Sequence, residues 1–169
     1  MPLYLLKFGG NAIRGRDDMM RLSREVAEMK DAGCDVILVH GGGPEISEML
    51  GKIGKKSEFV NGLRVTDGET VDIVQMVLAG KVNKSLVNII ESKGGSAIGL
   101  SGIDGHMIEA KVKDPALGYV GEITAVNVKP VLDVIEKGYI PVVSTIGCDS
   151  DGNVYNINAD TAADNTSGK

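Results

Sequence analysis

The stretch VHGGGPEI, residues 39–46, places three consecutive glycines between an apolar run and a proline. Residues 35–39 have the character of a buried strand, Pro44 suits the first position of a helix, and apolar residues then recur at helical spacing. Glycine costs stability unless the backbone must bend or a group must approach it closely. At a strand-to-helix turn, free N–H groups and the positive end of a helix dipole can hold an anion. The stretch therefore predicts an anion site; a tight turn without a ligand is the alternative.

Strands and helices alternate along the chain, which predicts an α/β fold with a largely parallel sheet. The Asn61-Gly62 pair, flanked by β-prone residues, predicts a hairpin. Thr66 and Glu69 form a capping-box pattern before a helix over residues 71–79, and Gly80 is expected to interrupt that helix. The predicted strands are residues 3–8, 35–39, 96–100, 106–112, 119–126, 139–147 and 154–157. Some of the middle strands are expected to pair as antiparallel hairpins.

Composition excludes several classes of function. The chain has 169 residues, enough for one domain, and a formal net charge of −5, which argues against nucleic acid or an anionic membrane as partner. No apolar run approaches the ~20 residues of a membrane span, and no signal peptide is visible at Met1. Cys34 and Cys148 lack metal-ligand spacing and are interpreted as reduced thiols of a cytosolic protein, with a disulfide as the alternative.

Common catalytic and nucleotide motifs are absent or incomplete. Residues 10–17, GNAIRGRD, imitate a P-loop spacing, but Arg16 and Asp17 stand where lysine and Ser/Thr are required. No GxGxxG follows a strand and no GxSxG occurs. His40 is interpreted as a residue that holds the glycine turn by hydrogen bonding rather than as a general base, and His106 as a surface or hairpin residue.

What remains is a group of polar residues near predicted strand ends. Lys7 ends the first strand just before two glycines, and ligands of doubly wound sheets lie beyond the carboxyl ends of parallel strands. Arg64 could clamp a carboxylate with its planar guanidinium. Residues 156–160, NINAD, add polar side chains near another strand end, although Asn and Asp there could be simple caps and turn formers. Asn158 is a plausible cap for a final helix that the polar DNTSGK tail is expected to end at once.

These segments together resemble the acetylglutamate kinases of the amino acid kinase family. The resemblance covers residues 3–163 in order, and VNGLRVTD with NINADTAA distinguishes it from the aspartate, glutamate and uridylate kinases. That family phosphorylates the side-chain carboxylate of N-acetyl-L-glutamate with MgATP, in arginine biosynthesis. The segments that carry the resemblance are LLKFGGNAI, VHGGGPEI, VNGLRVTD, AGKVNKSLV, GLSGIDG, LGYVGEI, GYIPVVSTIG and NINADTAA.

The resemblance implies a role for each matching residue. The catalytic residues are Lys7, which would stabilise the transferring phosphoryl group, and Asp160, which would organise the active-site lysines. The substrate would be bound through backbone groups and polar side chains of Gly42, Gly43, Arg64 and Asn156. The nucleotide phosphates would lie against Gly9, Gly10 and Gly41. No metal-ligating residue is assigned.

The resemblance also implies an architecture. Residues 1–163 are expected to form the N-acetylglutamate-binding lobe of a three-layer sandwich, with residues 164–169 outside the family pattern and the nucleotide-binding lobe absent. MgATP would serve the full-length enzyme, no cofactor would bind this chain tightly, and the chain alone would be inactive. An N-terminal helix that accompanies arginine-inhibited hexamers in the family is also expected to be absent. A cytoplasmic homodimer through residues 71–86 is expected.

Two alternatives stay open at this point. The chain could be a non-catalytic module that binds a small anion or dimerises, using the same glycine turns. It could also be a related kinase acting on a carrier-bound or different amino acid, although Arg64 and NGLRVTD argue against that.

Overall fold

Four parallel strands form the central sheet, in the spatial order β1, β2, β8 and β5. The computed structural model describes residues 1–9 and 15–167. The strands are β1 Leu3–Phe8, β2 Asp35–His40, β3 Phe59–Val60, β4 Leu63–Arg64, β5 Ala97–Ser101, β6 Ile108–Val112, β7 Gly121–Val126, β8 Ile140–Ser144, β9 Ile146–Cys148 and β10 Val154–Asn156. The predicted largely parallel sheet is confirmed.

Helices cover the central sheet on both faces because its middle strands are apolar on both. Along β2, Val36 and Leu38 belong to one buried cluster, whereas Ile37 and Val39 belong to the other. Such two-sided burial is typical of parallel sheets. The helices are α1 Arg16–Asp31, α2 Gly43–Lys52, α3 Gly68–Gln75, a π-helical segment Met76–Val82, α4 Asn83–Ser92, α5 Lys129–Glu136 and α6 Ala159–Ser167, with short 3₁₀ turns at Asp104–His106 and Pro115–Leu117.

Antiparallel pairs are added to this core, as expected. β6 pairs with β7 and β9 with β10, and the four strands form a second sheet in the order β10, β9, β6 and β7. β3 and β4 form the predicted hairpin, with Asn61 and Gly62 both at positive φ, 50° and 78°. A two-residue turn of this kind matches the twist of the flanking strands.

The predicted capping box is wrong. Asp67, not Thr66, caps α3: its carboxylate accepts a hydrogen bond of 2.8 Å from the backbone N–H of Thr70. The hydroxyl of Thr66 instead donates to the backbone carbonyl of Arg64 at 2.7 Å. Both residue types favour N-caps. Thr66 is not available to cap the helix because it forms a parallel β-bridge with Gly118 of the segment beside it.

Gly80 does not interrupt the helix, contrary to the prediction. The chain stays helical over Gly68–Ser92, and Gly80 lies within its π-helical segment. A glycine costs a helix only about 1 kcal/mol relative to alanine. Burial of Val77, Leu78 and Val82 on the same segment outweighs that cost.

Most of the apolar surface of this long helix is buried against the rest of the chain. Of the residues that suggested a partner, Val71, Val74, Val77, Leu78 and Val82 are buried within the chain and Ile73 is half-buried, while Met76 is 63% exposed. By length and composition alone the helix could cross a membrane. However, 44% of its apolar 18-residue stretch is buried inside the protein. A core helix of a soluble fold passes the same test, so the observation is weak evidence for a span.

The end of the described chain differs from expectation in one respect. Asn158 caps α6 as predicted, because its side-chain oxygen accepts from the N–H groups of Asp160 and Thr161. The helix then continues to Ser167 instead of ending after NADTAA. Burial of Ala162 and Ala163 helps to hold the first turns against the sheet. Cys34 and Cys148 are free thiols, as predicted.

Candidate functional site

A cavity of about 290 Å³ opens where β1 and β2 end and where Thr145 follows β8. This placement follows the rule that ligands of parallel sheets lie beyond the carboxyl ends of the strands. The hairpin β3–β4, β10 and the start of α6 complete its wall. The cavity brings together the predicted residues Lys7, Gly9, Gly41, Gly42, Gly43, Arg64, Asn156 and Asp160. Gly10 lies outside the described residues.

The glycine turn presents backbone rather than side chains to this cavity. Gly42 caps α2 with no side-chain hydrogen bond, so the first N–H groups of the helix are left for a ligand or water. A Cβ at Gly42 would lie 2.8 Å from Leu78 Cδ2 and 3.1 Å from Val82 Cγ2, so the close packing of the long helix favours glycine there. Gly41 differs, because its N–H already donates to the carbonyl of Phe8 at 2.8 Å.

His40 holds this turn from behind, which agrees with its interpretation from the sequence. Its side chain is fully buried, and Nδ1 lies 2.9 Å from the carbonyl oxygen of Gly41. Burial lowers the pKa of His40 from its usual 6.5 to about 4. The imidazole is therefore neutral near pH 7, and it supports the turn as a hydrogen-bonding group rather than as a charge.

Lys7 reaches the cavity entrance and forms an ion pair with Asp160. Lys7 Nζ lies 2.5 Å from Asp160 Oδ1, and the two side chains are 30% and 72% exposed. A Cβ at Gly9 would lie 3.0 Å from Lys7 Cε and 3.1 Å from Nζ, so the glycine leaves room for the lysine to fold across it. The ion pair brings together two residues that are far apart in the sequence.

Arg64 is a buried cation whose hydrogen-bond partners are neutral. Its guanidinium donates to Ser57 Oγ at 2.7 Å, Ser47 Oγ at 2.9 Å and the Gly43 carbonyl at 3.0 Å, and it lies over the ring of Phe59. Burial lowers the pKa of Arg64. Among the described residues, no carboxylate forms an ion pair with it. A buried charge without a counter-ion is costly, so this position favours an anionic ligand.

The structure adds site residues that the sequence analysis missed. Thr145 lines the cavity and hydrogen-bonds to the carbonyl of His40 at 3.3 Å. Its place directly after β8 could have identified it, since the same strand-end rule found Lys7. Ser47 and Ser57, which orient Arg64, carried no signal in the sequence. Asn156 is placed as predicted, and its amide lies 3.4 Å from the Thr66 hydroxyl.

A larger cavity of about 570 Å³ lies elsewhere, between α1, α2 and the π-helical segment. It is lined by charges of both signs, among them Arg16, Lys81, Glu45 and Glu48, and by none of the predicted residues. Its charged residues are not buried, so it lacks the desolvated cation and glycine turn of the smaller cavity. Within the described part of the chain, no group of three or more His, Cys, Asp or Glu could hold a metal ion.

Comparison with known proteins shows the family of this chain. A family model described as the amino acid kinase family matches residues 2–164. Acetylglutamate kinase of Brachyspira hyodysenteriae is 51% identical over 161 residues, which are 94% of this chain and 56% of that protein. Acetylglutamate kinase of Clostridium beijerinckii is 50% identical over 95% of this chain and 58% of that protein. The chain thus spans a little over half the length of these curated relatives.

A solved structure supports the fold. A crystal structure of a protein from Streptococcus mutans superimposes with a TM-score of 0.87 at 28% identity, and the match covers 98% of this chain and 67% of that one. The α/β architecture with its parallel central sheet therefore recurs in an experimental structure.

Proposed function

This chain belongs to the amino acid kinase family, and we propose that its cavity binds N-acetyl-L-glutamate for transfer of a phosphoryl group from MgATP to the side-chain carboxylate. The observation that carries the proposal is Arg64, a buried guanidinium beside a glycine turn, with no carboxylate partner in the described chain. Relatives that share half of its residues are named acetylglutamate kinase.

In this proposal the substrate lies with its α-carboxylate on the guanidinium fork of Arg64. Asn156 offers an amide for the polar groups of the substrate. Gly42 and Gly43 approach closely because they lack side chains, so that backbone N–H groups can donate to the reacting carboxylate and to the phosphoryl oxygens. The cavity, about 290 Å³, is at the small end of the ~300–1,000 Å³ typical of ligand pockets and suits a small amino acid derivative.

The reaction needs no general base, because a carboxylate is already an anionic nucleophile. One carboxylate oxygen forms a bond to the γ-phosphorus, the bond from that phosphorus to the bridging oxygen breaks, and ADP leaves with the electron pair. The product is an acyl phosphate. The task of the protein is to bring two anions together and to stabilise charge on the transferring oxygens, and Lys7 with the glycine N–H groups can do this. Asp160 holds the Lys7 ammonium at the entrance.

We assign the terminal phosphates of the nucleotide to the side of the cavity that holds Gly9 and Gly41, with Gly10 next in the chain. Magnesium would arrive with ATP and neutralise its phosphates. Residues 1–163 act in this proposal as the acceptor-binding lobe. A cavity that suits a small amino acid derivative does not also hold adenine and ribose, so we expect these residues alone to bind the acceptor without turnover.

The setting proposed for this activity is the cytoplasm, as for a soluble biosynthetic enzyme. We also propose a homodimer through residues 71–86. Support for the dimer is now limited to the exposed strip of that helix around Met76, because the rest of its apolar surface is buried in the chain itself.

Calorimetric titration with N-acetyl-L-glutamate tests binding, and L-glutamate serves as the matched ligand that lacks the acetyl group. Trapping of acyl phosphate by hydroxylamine in the presence of MgATP tests turnover, first with the chain alone and then with a relative of full length. We expect saturable binding of N-acetyl-L-glutamate and trapped product only with the longer protein. Absence of binding to this chain would contradict the assignment of the cavity. Trapped product with the chain alone would show that these residues are a complete enzyme.

A non-catalytic small-anion module remains the second candidate, favoured by the same glycine turn. Binding of phosphate and N-acetyl-L-glutamate with equal affinity would support it, because a simple anion site does not distinguish them. Preference for L-glutamate or another amino acid would instead indicate a related kinase.

A further inference from the structure

A buried polar pair lies directly behind the glycine turn, outside the lining of the cavity. His40 is the last residue of β2 and Asn83 the first residue of α4, and their side chains are 0% and 1% exposed. His40 Nε2 and Asn83 Nδ2 are 3.0 Å apart. Burial of polar groups costs free energy unless hydrogen bonds satisfy them, so the hydrogen-bond partners of this pair indicate which groups it positions.

The surrounding groups fix the orientation of both side chains. Asn83 Nδ2 lies 2.9 Å from the carbonyl oxygen of Val142, which can only accept, while Lys84 Nζ, which can only donate, lies 3.1 Å from Asn83 Oδ1. The amide nitrogen therefore faces His40. Its two protons go to the shorter contacts, the Val142 carbonyl and His40 Nε2, rather than to the Leu100 carbonyl at 3.3 Å. The ring proton must then sit on Nδ1, where it is donated to the carbonyl of Gly41 at 2.9 Å.

This chain of hydrogen bonds sets the direction of one peptide group. In a trans peptide, the C=O of residue 41 and the N–H of residue 42 point in opposite directions. Because His40 holds the Gly41 carbonyl towards the buried side, the N–H of Gly42 is turned towards the cavity. We propose that Asn83 is a positioning residue: acting through His40, it orients the Gly42 N–H as a donor to the anion in the cavity. Only the identity of that anion rests on the proposed function.

The fold makes specific room for this arrangement. A Cβ at Gly99 on β5 would lie 2.0 Å from Asn83 Oδ1, so only glycine at that position lets the amide occupy its place. The π-helical segment that ends just before Asn83 also packs Leu78 and Val82 against Gly42. One stretch of helix thus controls both the space around the turn and the direction of its peptide.

The test begins with the ligand-free protein, labelled with ¹⁵N. The imidazole nitrogen shifts of His40 report its tautomer, and the amide shift of Gly42 reports the environment of its N–H. We expect a single Nδ1–H tautomer in the natural sequence. In Asn83→Ala we expect loss of that preference, a displaced Gly42 amide signal, and affinities for inorganic phosphate and N-acetyl-L-glutamate that fall about tenfold, the size of one buried hydrogen bond.

Two control variants separate positioning from general destabilisation. Asn88→Ala removes the same residue type from an exposed site on the same helix and should change nothing. Leu86→Ala opens the core of that helix and should lower stability by more than Asn83→Ala does, yet it should leave the His40 tautomer and the Gly42 amide unchanged. If Asn83→Ala does not fold, Lys84→Met replaces it. Lys84 is exposed, and its substitution removes the hydrogen bond to Asn83 Oδ1, so the His40 and Gly42 signals should shift in the same direction as expected for Asn83→Ala.

The inference is overturned if His40 and Gly42 keep their signals in a folded Asn83→Ala, or in Lys84→Met where that variant replaces it. It is also overturned if Leu86→Ala displaces them equally, since the effect would then be general. A natural chain that binds neither probe would contradict the proposed function alone, because the tautomer and amide signals need no ligand.

Discussion

Two parts of one cavity hold charge in different ways. On one side, the buried wall consists of Arg64, Gly42 and Gly43, with His40 behind them. On the other side, the open rim consists of Lys7 and Asp160. Arg64 is 6% exposed and held by hydroxyls and a carbonyl, whereas the Asp160 side chain is 72% exposed and pairs directly with Lys7.

The difference matters because solvent screens exposed charges and leaves buried ones strong. An interaction in the buried wall acts at a low effective dielectric and in a fixed geometry, while an exposed ion pair contributes about 0–1 kcal/mol. The buried wall should therefore determine both stability and the binding of the acceptor. The open rim should govern the charge available to a phosphoryl group and contribute little to folding.

Arg64→Ala should have the largest effect and would test the buried wall most directly. Removing one partner of a buried carboxylate–guanidinium pair typically costs about 2–5 kcal/mol of binding. Arg64→Lys keeps the charge but loses the planar fork, so we expect it to bind more weakly than the natural chain and more tightly than Arg64→Ala. Calorimetry with N-acetyl-L-glutamate on variants shown to be folded by circular dichroism provides the measurement. Equal affinity in Arg64→Ala would show that the arginine does not bind the ligand.

Acidification should weaken the buried wall through His40. The pKa of His40 is about 4 in the folded protein and 6.5 without burial, so between these values the unfolded chain takes up a proton that the folded chain refuses. Its contribution is complete above pH 6.5 and is lost as the pH falls towards 4, which lowers the free energy of unfolding by up to about 3 kcal/mol. Lys84 also disfavours the protonated ring.

Urea unfolding at several pH values between 7 and 4 checks this, with His40→Gln as the variant that should lack the step. The carboxylates of Asp67 and Asp149 do not confuse the result. Hydrogen bonds, from Lys55 to Asp67 and from Asn153 and Tyr155 to Asp149, lower both pKa values to about 2, so their contributions are lost only below about pH 3.8. A stability that is flat between pH 6.5 and 4 would disprove the role given to His40.

Gly42→Ala and Gly43→Ala compare two neighbouring glycines of the same wall. A Cβ at Gly42 would meet Leu78 at 2.8 Å, whereas a Cβ at Gly43 would meet nothing within 4 Å. The expected cost of Gly42→Ala is overpacking, about 1–3 kcal/mol. We expect Gly43→Ala to be nearly neutral for stability. Chemical denaturation of both variants measures the difference, and Leu78→Val should partly restore Gly42→Ala.

Local signals explain how much of the fold could be predicted from the sequence. The glycine turn, the Asn61-Gly62 hairpin and the alternation of strands and helices are encoded within short segments, and all appear in the structure. The failures were decided by packing over longer distances. Gly80 stays helical because Val77, Leu78 and Val82 on the same segment are buried. Thr66 does not cap the helix because it forms a β-bridge with Gly118.

The residues of the candidate site also fall into those predictable from local sequence and those placed by packing between distant segments. The positions of Lys7, near the end of β1, and Gly42, just after β2, could be predicted because the strand-end rule needs only the position of each strand. The serines that hold Arg64, and Asn83 behind His40, are brought into place by contacts between distant segments. No spacing in the sequence records such contacts, so residues that orient the site are harder to predict than residues that line it.

Asp160→Asn should have only a small effect on stability and would sharpen the comparison most. The substitution removes an exposed ion pair and one negative charge from the first turn of α6, and each of these contributes about 1 kcal/mol or less. The backbone N–H of Asp160 still donates to Asn158, so the helix cap survives.

In Asp160→Asn, Lys7 loses its partner and becomes free for an anion, so the affinity for inorganic phosphate should rise slightly at low salt and return towards that of the natural chain at high salt. Lys7→Met is the matched control, in which phosphate affinity should fall with little change in stability. If Asp160→Asn destabilised the protein as much as Gly42→Ala, the rim would be part of the folded core and the distinction between the two parts of the cavity would fail.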